Sequence, residues 1–199
     1  MSKIITVGRE FGSGGREFGR RLAEELGFEY YDKEIITEIA KSTSLSENYV
    51  RQVVEHEPHR LYPITIGQTI PYVGDYAFQM EQSVYQAQRK ILLEMAEKSD
   101  CVIVGRCADY VLRDLKPMRI FVYADMQSRV ARCMARGDGD HPTTEKELIR
   151  QIKKIDKNRA KYYEYYTGQK WGAKENYDLC VNTTDTVIKD IVIHIAKML

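Results

Sequence analysis

Four glycines in the eight residues from Gly8 to Gly15 constrain this chain more than anything else in it. They lie inside KIITVGREFGSGGREFGRRLAEELG (3–27), which reads as a buried strand (Ile4, Ile5, Val7), a glycine-dense turn (Gly8, Gly12, Gly14, Gly15) and a helix closed by Gly27. Such a turn lets backbone N–H groups face inward and approach a ligand closely, and the helix that follows points its positive end into the same space. The pattern predicts a phosphate cradle. Phe18, Leu22 and Leu26 recur at i, i+4 and i+8 as one apolar stripe, while Glu17 precedes Arg21 in the favourable acid-first order. Gly19 and Ala23 are small enough for the helix to lie close to a sheet, and Gly27 is a left-handed stop. The common phosphate-loop pattern G-x-x-x-x-G-K-[ST] ends in a Lys for the phosphates and a hydroxyl for Mg²⁺. Here Gly15 and Arg16 stand at those two positions, and Arg9, Arg16, Arg20 and Arg21 flank the glycines instead. Cations beside inward N–H groups suit an anion.

The whole chain narrows the partners. Its 199 residues suffice for one domain with a substantial core, and 30 basic against 29 acidic side chains leave no global field that argues for nucleic acid or a membrane surface. MSKIITVG lacks the features of a signal peptide and no apolar run reaches membrane-spanning length, so a cytoplasmic location is the expectation. The four cysteines show no C-x-x-C pairing and no His at zinc spacing. Cys101 and Cys180 fall in apolar, strand-like runs and read as buried, inert thiols; Cys107, after a Gly-Arg at a strand end, is the one that could be reactive. His56 and His59 read as solvated loop residues, and no metal is assigned to them.

Taken in order, FEYYD (28–32) predicts a short strand ending in Asp32. That acid can cap the next helix, KEIITEIAK, whose Ile35, Ile36 and Ile39 face inward, or it can face the crevice where open α/β sheets bind ligands. Ser46 starts a helix through Tyr49, Val50, Val53 and Val54. The run 57–75, broken by Pro58, Pro63, Gly67, Pro71 and Gly74, reads as a binding loop or lid, and a long helix follows from Asp75 to about Lys98. Cys101 to Val104 is a continuous apolar run, as in a parallel strand covered on both faces, and Arg106 just beyond it is an anion-contact candidate. MRIFVY (118–123) leads to Asp125, which caps a helix carrying Arg129, Arg132 and Arg136. GDGDHP (137–142) is a turn without the acid spacing of a calcium loop. Thr144 and Glu147 form a capping box for a helix with Leu148, Ile152, Ile155, Arg159 and Tyr162 on one side.

From Lys146 to Lys174 there are nine Lys/Arg and three Asp/Glu, interleaved with Tyr162, Tyr163, Tyr165, Tyr166 and Trp171. That mixture suits nucleotide bases and phosphates or a packed aromatic hinge. YDLCVNTT supplies a last strand, and DTVIKDIVIHIAKML a closing amphipathic helix with His194 on its surface. Five short strands with helical crossovers predict an α/β fold: a parallel sheet with helices on both faces.

The blocks GREFGSGGREFG, YYDKE, VIVGR, DKNRAKYYEYYTG and NYDLCVNTT resemble those of the cytidylate-kinase-like family of P-loop nucleoside monophosphate kinases, over nearly the whole chain. The resemblance implies the three-layer P-loop kinase fold as a single domain over 1–199, with a helical acceptor-binding insertion at 33–98 and a lid at 137–174. It implies nucleotide substrates, ATP as phosphoryl donor with Mg²⁺ bridging the phosphates, and CMP or dCMP as acceptor. The donor site implied is Gly8, Gly12, Ser13, Gly14, Gly15, Arg16 and Glu17 with Arg129 and Arg132. Gly105-Arg106 matches the family's Gly-Arg-Asp element, and Asp156 and Arg159 the last two positions of its R-D-x-x-D-x-x-R element, so the acceptor site implied is Asp32, Arg106, Asp156 and Arg159. Arg16, Arg159 and Lys157 are the expected catalytic cations. Gly15, Arg16, Val104, Cys107 and Ile152 depart from the family pattern, and the metal ligands and oligomeric state stay unassigned. A nucleotide-binding regulatory protein that kept the fold without turnover is the alternative, and a kinase for another small phosphate acceptor is a third reading.

Overall fold

A computed structural model describes residues 2–56, 58, 73–136 and 144–199. The chain runs β1 (Ile4–Arg9), α1 (Gly15–Leu26), β2 (Glu29–Tyr31), α2 (Glu34–Thr43), α3 (Glu47–Glu55), α4 (Val73–Lys98), β3 (Cys101–Val104), α5 (Ala108–Val111), β4 (Met118–Tyr123), α6 (Met126–Arg136), α7 (Glu145–Thr167), β5 (Leu179–Asn182) and α8 (Ile188–Met198). Among the described residues five strands form one parallel sheet in the order β2-β3-β1-β4-β5. Parallel pairing puts every carboxyl end on one edge, with the end of β1 between β3 and β4 where the chain's direction of winding reverses.

Strand alternation divides the core. Ile5 and Val7 of β1, Val102 and Val104 of β3, and Ile120 and Val122 of β4 pack with Phe18, Leu22 and Ala23 of α1 and Ile188 and Val192 of α8. Ile4, Cys101 and Ile103 point the other way, into Ile35, Ile36 and Ile39 of α2, Val50 and Val54 of α3, and Val84 and Leu92 of α4. Helices therefore cover both faces, as the uninterrupted apolar strands require. Gly19 lets α1 sit down on the sheet: a Cβ there would stand 2.8 Å from Val104 Cγ2.

The helix boundaries follow local chemistry. Gly27, at φ 68°, ends α1 with its N–H directed at the last carbonyls. Ser46 Oγ accepts from Tyr49 N at 3.2 Å at the start of α3, and Asp125 Oδ1 accepts from Ser128 N at 2.7 Å at the start of α6. Thr144 Oγ1 accepts from Glu147 N at 3.3 Å and donates to Glu147 Oε2 at 2.8 Å, so the box closes through the hydroxyl. Asp32 makes no cap; Lys33 occupies the flanking position of α2, without a side-chain bond to the helix. The long helix α4 starts at Val73, two residues before Asp75. Most of the run 57–75, His59 and the turn 137–142 lie outside the described residues.

Two cysteine expectations are corrected. Cys180 is exposed, because β5 is an edge strand and that residue points away from the helices. Cys107 is buried, and desolvation holds its thiol pKa well above 9, so it is not a reactive thiolate. The tyrosines of α7 are packed side chains: Tyr166 stacks on Tyr85 of α4 at 3.9 Å between ring centroids and leans on Tyr162 at 4.7 Å.

Candidate active site

The loop between β1 and α1 is held open by its neighbours. Gly12 and Gly14 take left-handed backbone at φ 78° and 80°, and a Cβ on Gly14 would reach within 2.2 Å of Ile188 Cδ1. Ser13 is fully buried; its Oγ donates to Glu10 O at 2.9 Å and its carbonyl accepts from Thr183 Oγ1 at 2.7 Å. Arg132 reaches Ser13 O at 3.4 Å and also donates to Thr183 O. Phe11 is held at both ends, its N–H donating to Asp156 Oδ1 at 2.8 Å and its carbonyl accepting from Arg129 Nε at 2.7 Å. Arg129 completes the clamp with Glu10 at 3.2 Å and with Asp156 Oδ2.

Over this loop opens a cavity of about 310 Å³. The loop and the start of α1 form one wall; Lys33 and Ile36 of α2, Arg51 and Glu55 of α3, Arg106 beyond β3, and Ile155 and Arg159 of α7 form the others. Six cations (Arg9, Arg16, Lys33, Arg51, Arg106, Arg159) face two lining acids, Glu10 and Glu55. Glu10 is already engaged by Arg129 and by Ala124 N, and Glu55 pairs with Arg106 at 3.7 Å. Buried Asp32 stands behind the wall, 2.6 Å from Arg16 and 3.9 Å from Arg9.

Like charges this close disfavour one another. Burial first, and Arg159 next, lower Arg9 to about 9; burial lowers Arg159 to about 10, against the pull of Asp156. Both guanidinium groups remain charged at neutral pH. The backbone at Arg106 and Cys107 is left-handed (φ 61° and 52°), and Gln88 Nε2 donates to Arg106 O at 3.0 Å, fixing that turn. The Arg106 side chain is 6% exposed and its Nε lacks a hydrogen-bond partner. A ligand with several negative oxygens would satisfy these groups together.

Among the described residues no donor set fits a divalent metal held by the protein alone. No cluster of three or more His, Cys, Asp or Glu occurs among the described residues, Arg16 stands where a ligating hydroxyl would, and Asp32 is taken up by arginines.

A family model described as the cytidylate kinase-like family matches residues 4–185. The chain belongs to that family. The cytidylate kinase of Methanopyrus kandleri is 25% identical over 194 residues, covering 92% of this chain and 86% of that protein. A crystal structure of an uncharacterized protein from Eubacterium ventriosum is 28% identical, covers 99% of this chain and 98% of its own, and superposes with a TM-score of 0.71. The shikimate kinase of Bacteroides thetaiotaomicron, at 15% identity, shares the fold, with a TM-score of 0.58 over 98% of this chain and 97% of its own.

Within this member of the family, the expected residues separate into groups. Gly12, Gly14, Gly15, Arg16, Arg106 and Arg159 line the cavity. Ser13, Arg129, Arg132 and Asp156 lie around the loop as its supports, both carboxylate oxygens of Asp156 being bonded to loop and clamp. Asp32 positions Arg16. Gly8 lies a step deeper, where a Cβ would come within 2.8 Å of Phe121, and lines a second cavity of about 50 Å³. Glu17 pairs with Arg21 at 2.8 Å on α1, and Lys157 is exposed; neither lines the cavity over the loop. Lys33, Arg51, Glu10 and Glu55 were not among the expected contacts, and Arg9 was expected only as a flanking charge. Arg9 had a positional signal as the last residue of the central strand; Arg51 had none, since only the packing of α3 against α7 brings it there.

Proposed function

We propose that this protein is a nucleotide kinase that transfers the γ-phosphoryl group of ATP, entering as its Mg²⁺ complex, to a nucleoside monophosphate. CMP or dCMP is the acceptor the reading favours, on the strength of family membership and of relatives described as cytidylate kinases at 25% and 24% identity. The observation that carries the reading is the ring of six cations around one cavity at the carboxyl end of β1, beside the N-terminal end of α1.

Phosphoryl transfer asks for positioning and charge more than for covalent chemistry. A phosphate oxygen of the acceptor attacks the γ-phosphorus, the bond from that phosphorus to the β–γ bridging oxygen breaks, and ADP leaves with the electron pair. The acceptor leaves as a diphosphate, and no proton moves when its phosphate enters as the dianion. Gly12 to Arg16 would hold the donor's phosphates, Arg106 and Arg51 the acceptor's, and Arg159 would lie between them as charge spreads over the transferred group. Incubating the purified protein with MgATP and a panel of monophosphates, with products read by mass, should give ADP and one matching diphosphate. Absence of both with every acceptor overturns the reading.

One observation favours a second reading, that of a nucleotide-binding regulator: Arg16, standing for a metal-ligating hydroxyl, is already paired to buried Asp32. Calorimetric binding of ATP without turnover would select it.

A further inference from the structure

We propose that Arg9 supplies the phosphate-binding cation missing at position 15, and that residue 15 is glycine because the Arg9 side chain fills the space a side chain there would need. The proposal rests on the phosphoryl-transfer reading for its catalytic part and on anion binding alone for the rest.

The geometry is specific. A Cβ on Gly15 would lie 2.4 Å from Arg9 Cβ, 3.0 Å from Arg9 Cγ and 3.2 Å from Val122 Cβ. The stem of Arg9 therefore starts out where the stem of a lysine at 15 would. From there it crosses to the end of β3, where a Cβ on Gly105 would fall 1.7 Å from Arg9 Nη1 and 2.8 Å from its Cζ. Gly105 sits at φ 76°, so its bare backbone forms a floor for the guanidinium. Two glycines, one opening α1 and one just beyond β3, make the channel for one arginine, whose side chain is 12% exposed and lines the cavity wall.

Charge points the same way. Among the described residues the one carboxylate within 4 Å of Arg9 is Asp32, at 3.9 Å, and Asp32 is bound more closely by Arg16 at 2.6 Å. The carbonyl of Arg9 accepts from Arg159 Nη1 at 3.4 Å, bringing a second guanidinium alongside. An arginine serving only to tie the sheet to Asp32 would stand at hydrogen-bond distance from it. Arg9 instead faces the opening beside the first N–H groups of α1, with donors to spare for phosphate oxygens. In the transfer step it would face the negative charge that gathers on the β–γ bridging oxygen as that bond breaks.

The test is a charge relocation read by binding and by turnover. Inorganic tripolyphosphate and MgATP are titrated calorimetrically into wild type, Arg9→Met, Arg9→Lys, Arg9→Ala, Gly15→Lys and Arg9→Ala/Gly15→Lys, each checked for folding by circular dichroism. Arg9→Met should bind tripolyphosphate about 30-fold more weakly and turn over about 100-fold more slowly, with Arg9→Lys in between. Gly15→Lys alone, forced against Arg9, should lose binding, whereas the double variant should bind about tenfold tighter than Arg9→Ala. Wild-type affinity in Arg9→Met, or a double variant no tighter than Arg9→Ala, overturns the proposal. Should the binding pattern hold while wild type turns over no monophosphate, the cation assignment stands and the enzymatic reading falls. A wild type that binds neither anion sinks both.

Discussion

The backbone N–H of Phe11 donates to Asp156 Oδ1 at 2.8 Å, joining the glycine loop to the middle of α7 across 145 residues of sequence. Its other oxygen holds Arg129, which in turn holds the Phe11 carbonyl and Glu10. Loop, α6 and α7 thus share one carboxylate.

Removing that carboxylate leaves the Arg129 guanidinium, 6% exposed, without its principal partner. Asp156→Ala should destabilise the protein by about 2–4 kcal/mol, a fall in melting temperature of roughly 6–12 °C, and should loosen the loop. Calorimetry reads the first effect and a raised KM for ATP the second. A melting temperature within a degree of wild type would show that the clamp carries no weight.

Asp32 offers a sharper contrast. Neutralising it in Asp32→Asn leaves Arg9 and Arg16 facing each other with no counter-charge, so the free protein should melt lower. A bound triphosphate would relieve that repulsion, and the rise in melting temperature on adding ATP should be larger than in wild type. An equal or smaller rise would mean that Asp32 does not hold these arginines against the ligand.

Arg51 tests the division of the cavity. It is exposed on α3, so Arg51→Ala should change stability by less than about 0.5 kcal/mol. If its guanidinium meets the acceptor, KM for the monophosphate should rise about tenfold while KM for ATP stays within about twofold. A rise in KM for ATP alone would move Arg51 to the donor side.

Away from the site, Asp178 accepts from Arg119 N at 2.8 Å, Nε at 3.1 Å and, on its other oxygen, Nη2 at 2.7 Å. The Arg119 bonds hold its pKa below the ordinary 3.8, so its contribution is complete above that value and is lost as pH falls through the lower, folded-state pKa. Both side chains are about a third exposed, at 35% and 38%, which keeps the effect modest. Asp178→Asn should flatten the fall in urea midpoint below about pH 4. An unchanged acid limb would assign that fall to other carboxylates.

The parallel sheet, the helices on both faces and the glycine turn were legible because they arise from local rules: apolar runs such as Cys101–Val104, the stripe Phe18–Leu22, caps at Ser46 and Thr144. Arg16, Arg106 and Arg159 line the cavity, and their places were legible because each follows a recognisable turn or helix register. Asp32 misled as a cap, since its choice of Arg16 over the α2 N–H groups is decided by burial among arginines rather than by spacing. The family resemblance implied ligand contacts at Arg129, Asp156 and Arg132; in the structure the two arginines donate to loop carbonyls and Asp156 accepts the Phe11 N–H, a use that residue type does not reveal. Cys180 misled because an edge strand carries the same apolar letters as a central one.

The interlock of Arg9 with Gly15 also bears on how such a loop changes over generations. Placing a lysine at 15 while the arginine remains sets two stems in one volume, and trimming the arginine first strips the cradle of its ion. On the assignment proposed for Arg9, each step alone costs phosphate binding, so the route from this loop to a lysine-bearing one is a change at both positions together.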